Sequence, residues 1–303
     1  MNNYNFYWPI YKNIENEFLN LTYSIRFEDS QLNVFSDKFV DLLLRICIEI
    51  ESISKQLYLD NGGKQFDKES DMYFDTVCLK YLEDNWQLSK KMVQISNPNM
   101  YFSKEKSVLY PLKKSYLRGT SGSKWKQAYQ SVKHNRCDNY KLGNMENCLN
   151  SLAALFVLNI YLKNQRYELS NYNDMNNFDL SLGSEIFNIK VCKQCSFEGE
   201  IFKESDAIYF INYTDEFIAE WKTKKAESNN LVLNDILNNP KIIKGLNDKS
   251  LLPTDLVNFS KMYEYLGKDV FSNYYTAAFR RVNVNSLVDS QKFVAFLNKE
   301  KVD

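Results

Sequence analysis

The sequence predicts a mainly α-helical protein: a helical bundle over residues 1–165, then a smaller, mixed α/β C-terminal region over residues 166–303 that contains a short β-hairpin. Three features of the chain predict it. Phe39, Leu43, Ile46, Ile50, Ile53 and Leu57 recur at spacings of 4, 3, 4, 3 and 4, which keeps them on one face of a helix. The run from Asn144 to Lys163 is apolar on most of its sides, the mark of a helix buried in the middle of a bundle. Beyond residue 166, "EIFNIKVC" alternates apolar with other residues and "DAIYFINY" is β-branched and aromatic, so both read as strands that pair.

Each helix carries its own start and stop signals. Ser36 is placed to cap the first long helix and "NGG" at Asn61–Gly63 to end it. A further helix is expected from Asp75 to Val93, then a loop around "SNPNM" and a short helix in "WKQAYQSVKHNR", entered through Ser123. Asn144 caps the apolar helix. "SNYNDMNNFDLSLG" reads as a polar linker, and from Thr214 the pattern is helical again, broken at Pro240 and Pro253.

Of the 303 residues, 44% are hydrophobic, enough for a packed core, and 38 basic residues balance 38 acidic ones, so no overall field selects a partner. The N-terminus lacks the basic and apolar regions of a signal peptide. The longest apolar run, Leu152 to Leu162, falls short of the roughly 20 residues that span a bilayer. The six cysteines read as reduced thiols. A cytoplasmic protein without membrane contact is expected. Cys192-x-x-Cys195 with His134 and Cys137 has the residue types of a Cys3His zinc site, but the pairs fall in different predicted regions, so neither metal nor cofactor is expected.

The balanced total hides a local asymmetry. From Lys106 through Cys137 there is no Asp or Glu, while Lys106, Lys113, Lys114, Arg118, Lys124, Lys126, Lys133 and Arg136 fall in that window with Tyr110, Tyr116, Trp125 and Tyr129 among them. Cations interleaved with aromatics suit a nucleic-acid backbone and stacked bases. The other reading is a basic face solvated or paired with the acid-rich stretch Asp60 to Asp84. "RGTSGSK" is either a phosphate-binding loop before a helix N-terminus or an ordinary loop with a capping Ser123.

His134, the only histidine, sits in the same window. At about 100° per residue, Trp125, Ala128, Tyr129 and Val132 share one helix face, and His134 falls nearly opposite, with Gln127 and Ser131. A neutral imidazole among cations suits acid–base attack on an RNA 2′-hydroxyl, with cations stabilising the transition-state charge. Arg45, Glu49, Ser52 and Gln56 form a polar stripe on the first long helix, Arg45 and Glu49 being an i,i+4 pair.

The segments "LLLRICIEIESISKQLY", "WKQAYQSVKHNR" and "GNMENCLNSLAALFVLNIYL", in that order, resemble the HEPN-like helical superfamily, which includes abortive-infection and toxin ribonucleases. The resemblance covers roughly residues 1–165. It implies a helical bundle that dimerises about a site built on an Arg-x4–6-His motif. His134 matches the motif's histidine. The positions where its arginine would stand hold Gln127, Ala128 and Tyr129, and an arginine follows instead, at Arg136.

The expectation is therefore an RNA-binding homodimer, and a metal-independent ribonuclease of anti-phage defence or of a toxin system. His134 would be the acid–base group, with Lys133 and Arg136 stabilising phosphate charge. Lys113, Lys114, Arg118, Lys124, Lys126 and Tyr129 would hold RNA, and Arg45 and Glu49 would orient the site. The alternative is a non-catalytic interaction or sensor module that contacts a protein partner through its C-terminal region.

Overall fold

The computed structural model describes residues 4–68, 71–200 and 204–299, and the fold is mainly α with a smaller α+β portion. The chain opens with α1 (Tyr4–Asn20) and a two-residue strand β1 (Phe27–Glu28) before α2 (Asp37–Asp60). Ser36 caps α2 by accepting the Phe39 N–H at 3.3 Å, and the whole predicted apolar face from Phe39 to Leu57 is buried. The helix ends where the Asn61 side chain donates to the Leu57 carbonyl at 2.8 Å.

The predicted helix from Asp75 to Val93 is shorter and composite. A π-helical turn, Phe74–Leu79, in which the Cys78 N–H donates to the Tyr73 carbonyl, leads into α3 (Lys80–Trp86). Gln87 then takes a left-handed conformation, φ 52°, and the Glu83 carboxylate accepts the Ser89 N–H and hydroxyl. That local bonding competes with helix continuation, and Val93 instead starts β2 (Val93–Ile95). β3 (Met100–Tyr101), α4 (Lys104–Ser107), β4 (Val108–Leu109), α5 (Lys124–His134) and α6 (Arg136–Asn139) follow.

α7 (Met145–Lys163) is the centre of the fold. Asn144 caps it through the Asn147 N–H, and every residue from Ser151 to Tyr161 is buried. Three full turns buried on all sides require neighbours all round. Tyr11 of α1 stacks on Phe156, the Cys148 thiol of α7 donates to the Phe39 carbonyl of α2, and Trp86 of α3 stacks on Tyr161. By length and composition α7 passes as a membrane span, contrary to the apolar-run estimate, but 83% of that window is packed inside the protein.

The remaining cover comes from beyond residue 165. The chain continues as β5 (Tyr167–Leu169), α8 (Tyr172–Asn176), β6 (Phe187–Ile189), β7 (Val191–Cys192) and β8 (Tyr209–Tyr213). α9 (Asp215–Leu237), α10 (Pro240–Asn247), α11 (Phe259–Leu266), α12 (Lys268–Arg281), α13 (Val284–Asp289) and β9 (Phe293–Leu297) complete it. Phe187 of β6 stacks on Phe156, and the Tyr161 hydroxyl donates to the Asn298 carbonyl. One hydrophobic core thus runs from Tyr7 to Leu297, and the boundary expected at 165/166 is not a break in packing. A separate core lies further on, where Val232, Ile236, Ile242, Met262 and Phe271 join α9 to α12.

The two predicted strands do not form a hairpin. "EIFNIKVC" divides at Lys190, whose ammonium pairs with Glu204 and Asp206. On one side β6 runs antiparallel to β2, which also pairs with β4. On the other β7 runs parallel to β8, which a tight turn cannot connect. The antiparallel partner of β8 is β9, closing a four-stranded sheet in the order β5-β9-β8-β7.

Two outcomes follow for stability. Phe156→Ala should lower the unfolding free energy by about 3–5 kcal/mol, because a dry, close-packed site cannot collapse around the lost ring; urea unfolding measures it. Lys91 is wholly buried, with its ammonium donating to the Ser205 carbonyl at 3.0 Å. Burial pushes its pKa down to about 7, against the pull of Asp206 and Glu83. Between that value and the ordinary lysine value of about 10.4 the unfolded chain holds the extra proton, so this group makes stability rise with pH. The stability difference between wild type and Lys91→Met should therefore shift in favour of wild type from pH 7 to pH 10, and a constant difference would contradict it.

Candidate nucleic-acid interface

The basic window folds into a loop, a helix and a turn, and its cations part company. On α5, Trp125, Ala128, Tyr129 and Val132 form the buried face, as the helical wheel predicts, and the Trp125 indole donates to the Pro111 carbonyl at 2.9 Å. Tyr129 is thus a core residue and not a base-stacking platform. Its hydroxyl is held by Glu51 and Lys133, and burial raises its pKa well beyond the ordinary tyrosine range.

Lys126 and Arg118 turn inward to Asp75. The Lys126 ammonium, 4% exposed, lies 3.1 Å from the Asp75 carboxylate and donates to the carbonyls of Ser115 and Leu117. Arg118 grips the same carboxylate with Nε at 3.1 Å and Nη2 at 3.0 Å, and its guanidinium lies 4.1 Å from the Tyr73 ring centroid. Burial works to raise the Asp75 carboxyl, but the Arg118, Thr76 N–H and Lys126 interactions outweigh it and hold it below the usual carboxylate range. Burial also draws Lys126 below the usual lysine range, with the nearby charge of Arg118 adding to the effect and Asp75 opposing it. Lys126, being buried, is not free to hold an RNA backbone in the way Lys113 or Lys124 is, whereas Arg118 is fixed in direction by Asp75 with half of its side chain still exposed.

Gly122 makes this seat possible. A Cβ there would stand 2.8 Å from the Leu117 carbonyl oxygen that Lys126 uses, so only glycine lets the loop close. Ser123 occupies the N-cap position of α5, but its hydroxyl caps nothing; the Gln127 side chain donates to the Gly122 carbonyl at 2.7 Å instead.

At the far end of α5, His134 is exposed and makes no hydrogen bond or ion pair among the described residues. Arg136 is bound to Asp41 of α2 at 2.6 Å, and Lys133 lies 3.9 Å from Glu51 and 5.2 Å from the Tyr129 ring. The three predicted catalytic residues are neighbours in sequence, yet the two cations are held by carboxylates. Arg45 pairs with Glu17 of α1 at 2.7 Å, not with Glu49. Burial raises the Glu49 carboxyl, with Arg45 opposing. No hydrogen bond or ion pair among the described residues joins either one to the 133–136 segment.

What remains accessible lies at the start of α5. Lys113, Lys114 and Lys124 are exposed, and their side chains form no ion pair among the described residues. They line a concavity of about 560 Å³ with Tyr110, itself 42% exposed. Glu146 is the single carboxylate among the described residues on its wall. The N-terminus of α5 opens into it through Ser123 and Lys124, and the first-turn N–H groups of any helix lack intrahelical acceptors. Sequence reasoning placed Tyr110 among the interleaved aromatics without assigning it to the site, and missed Asp75 as the hub. The only signal for Asp75 was its membership of the acid-rich stretch, of which Glu69 lies outside the described residues.

Cys192 is buried on β7, Cys195 is half-buried beyond it, and Cys137 is exposed on α6. No group of three or more His, Cys, Asp or Glu among the described residues is placed to hold a metal ion. No family model, curated protein or solved structure shows a significant match to the chain.

The Asp75 hub has a pH signature. Its lowered folded-state pKa contributes stability that is present above the ordinary Asp value of about 4 and is lost as pH falls through the folded value. Asp75→Asn should cost about 3 kcal/mol at pH 7, since it strands Lys126 without its partner. The cost should shrink only as the pH falls below the ordinary Asp value and through the lower folded-state one, as the wild-type carboxylate takes up its proton. A cost that stays constant as the pH is lowered from 7 until the wild type unfolds, measured by denaturant titration, would contradict this.

Proposed function

We propose that the protein binds single-stranded RNA through the concavity at the start of α5. The observation that supports this reading best is the grouping there of Lys113, Lys114 and Lys124, unpaired among the described residues, around the exposed ring of Tyr110. Lysines that give up bound counterions to phosphates supply sequence-independent affinity, and an exposed ring stacks a base of any kind. The open helix N-terminus adds backbone donors suited to a phosphate. RNA is chosen over DNA from the resemblance to the HEPN-like superfamily.

Cleavage by His134, the sharper expectation from that resemblance, is not part of the proposal. Arg136 and Lys133 are engaged with Asp41 and Glu51, and no hydrogen bond or ion pair among the described residues orients the imidazole. Binding takes place at the opposite end of the same helix.

Fluorescence anisotropy with a labelled 12-nucleotide RNA tests the reading. Lys113→Glu, Lys114→Glu and Lys124→Glu combined should weaken binding at least tenfold, and should reduce the slope of log affinity against log salt by about 2, at roughly 0.7 per phosphate contact. Tyr110→Ala should weaken binding by about 1–3 kcal/mol with the slope unchanged. His134→Ala should change neither. No binding at low salt, or a triple variant that binds like wild type, would overturn the proposal.

A further inference from the structure

On the other side of the 118–123 loop lies a second cavity, of about 680 Å³, between α2, the π-helical turn and α5. Its wall carries the outer side of the Asp75–Arg118–Lys126 cluster. Asp75 takes up the Nε and Nη2 of Arg118, and the Tyr73 ring lies against the guanidinium plane, so that group is fixed in position and direction. It is nevertheless half exposed, at 50%. A guanidinium locked by a carboxylate on one edge and open on the other is a preorganised donor for an anion, and its orientation costs nothing further on binding.

The charges of the cluster favour an anion as well. One carboxylate, Asp75, faces two cations, Arg118 and Lys126. Lys126 is buried and saturated by Asp75 and two carbonyls. Glu51 is engaged by Tyr129 and Lys133. The positive excess therefore sits at Arg118, where the cluster meets the cavity.

The rest of the wall suits a planar, hydrogen-bonding group. Tyr73 is 47% exposed, and Met72 and Phe74 extend the apolar side next to it. Across from them Gln130 of α5 offers an amide, a donor and acceptor pair that can read a base edge. Inorganic phosphate would use Arg118 and leave that wall empty. The volume lies within the range of small-ligand sites, roughly 300–1,000 Å³.

We propose that this cavity binds the phosphate monoester of a nucleotide, with Arg118 on the phosphate and the base between the Tyr73 wall and Gln130. The same chemistry is offered by a free mononucleotide and by the phosphorylated end of an RNA strand. The site uses none of the three lysines at the start of α5, so it stands or falls separately from the strand-binding reading.

Isothermal titration of the full chain at low salt with AMP, GMP, CMP and UMP, and with the matching nucleosides, tests it. At least one monophosphate should bind, with its nucleoside at least tenfold weaker. Arg118→Gln and Arg118→Lys should each weaken that binding at least tenfold. Gln130→Trp, which fills the cavity and leaves Asp75, Arg118 and Lys126 themselves unchanged, should do the same while melting like wild type, and decides the matter if the Arg118 variants unfold. The combined Lys113, Lys114 and Lys124 glutamate variant should bind the monophosphate as wild type does, even where its RNA binding is lost. Competition by a terminally phosphorylated oligoribonucleotide, but not by its hydroxyl-ended twin, would identify the strand end as the source; no competition by either would identify the free nucleotide. The proposal is overturned if no monophosphate binds at millimolar concentration, if nucleoside and nucleotide bind alike, or if Gln130→Trp binds as wild type does.

Discussion

A helix that is apolar on every side must be surrounded, and in this protein α7 sets that requirement for the whole chain. Ser151 to Tyr161 are buried without interruption. A single layer of helices cannot cover three turns all round, so the cover is drawn from both halves of the sequence: α1, α2, α3 and α5 before it, β6 and the stretch after β9 behind it. The three-stranded and four-stranded sheets follow from this, because they deliver Phe187 and, just past β9, Asn298 to faces of α7 that the helices leave open. It also explains why α5 buries Trp125 and Tyr129, which leaves the opposite side of α5 as the only one able to form a site.

The charge distribution around α5 is settled by one carboxylate. Asp75 enters the interior on a π-helical turn and is 6% exposed, a position an unpaired carboxylate would not hold at neutral pH. It draws in Arg118 and Lys126 and so removes two of eight cations from the acid-free window. Asp41 and Glu51 on α2 engage two more, Arg136 and Lys133. The basic surface that remains is smaller than the sequence suggests and displaced toward the start of α5, away from His134.

Much of the helical fold was legible because its causes are local. The caps at Ser36 and Asn144, the return to helix at Thr214, the breaks at Pro240 and Pro253 and the buried face of α2 all follow from residues within a few positions of one another. The strands were legible only as strands. Their partners lie far along the chain, β2 for β6 and β9 for β8, and pairing at that separation leaves no trace in periodicity. The candidate site divides in the same way. That His134 faces away from the core could be counted from the helical period, whereas the fate of each lysine depended on carboxylates up to 95 positions away, as with Arg136 and Asp41. Tyr129 was misjudged because a tyrosine among lysines has the same composition whether it faces a base or the core.

The central claim is that RNA meets this protein at the start of α5 and not at its end. Photo-crosslinking of a 4-thiouridine-labelled RNA to the full chain, with the modified peptides identified by mass spectrometry, locates the contact directly. The account predicts crosslinks at Tyr110 and within residues 110–124, with none in 133–137. Crosslinks centred on His134, with residues 110–124 unmodified, would contradict it.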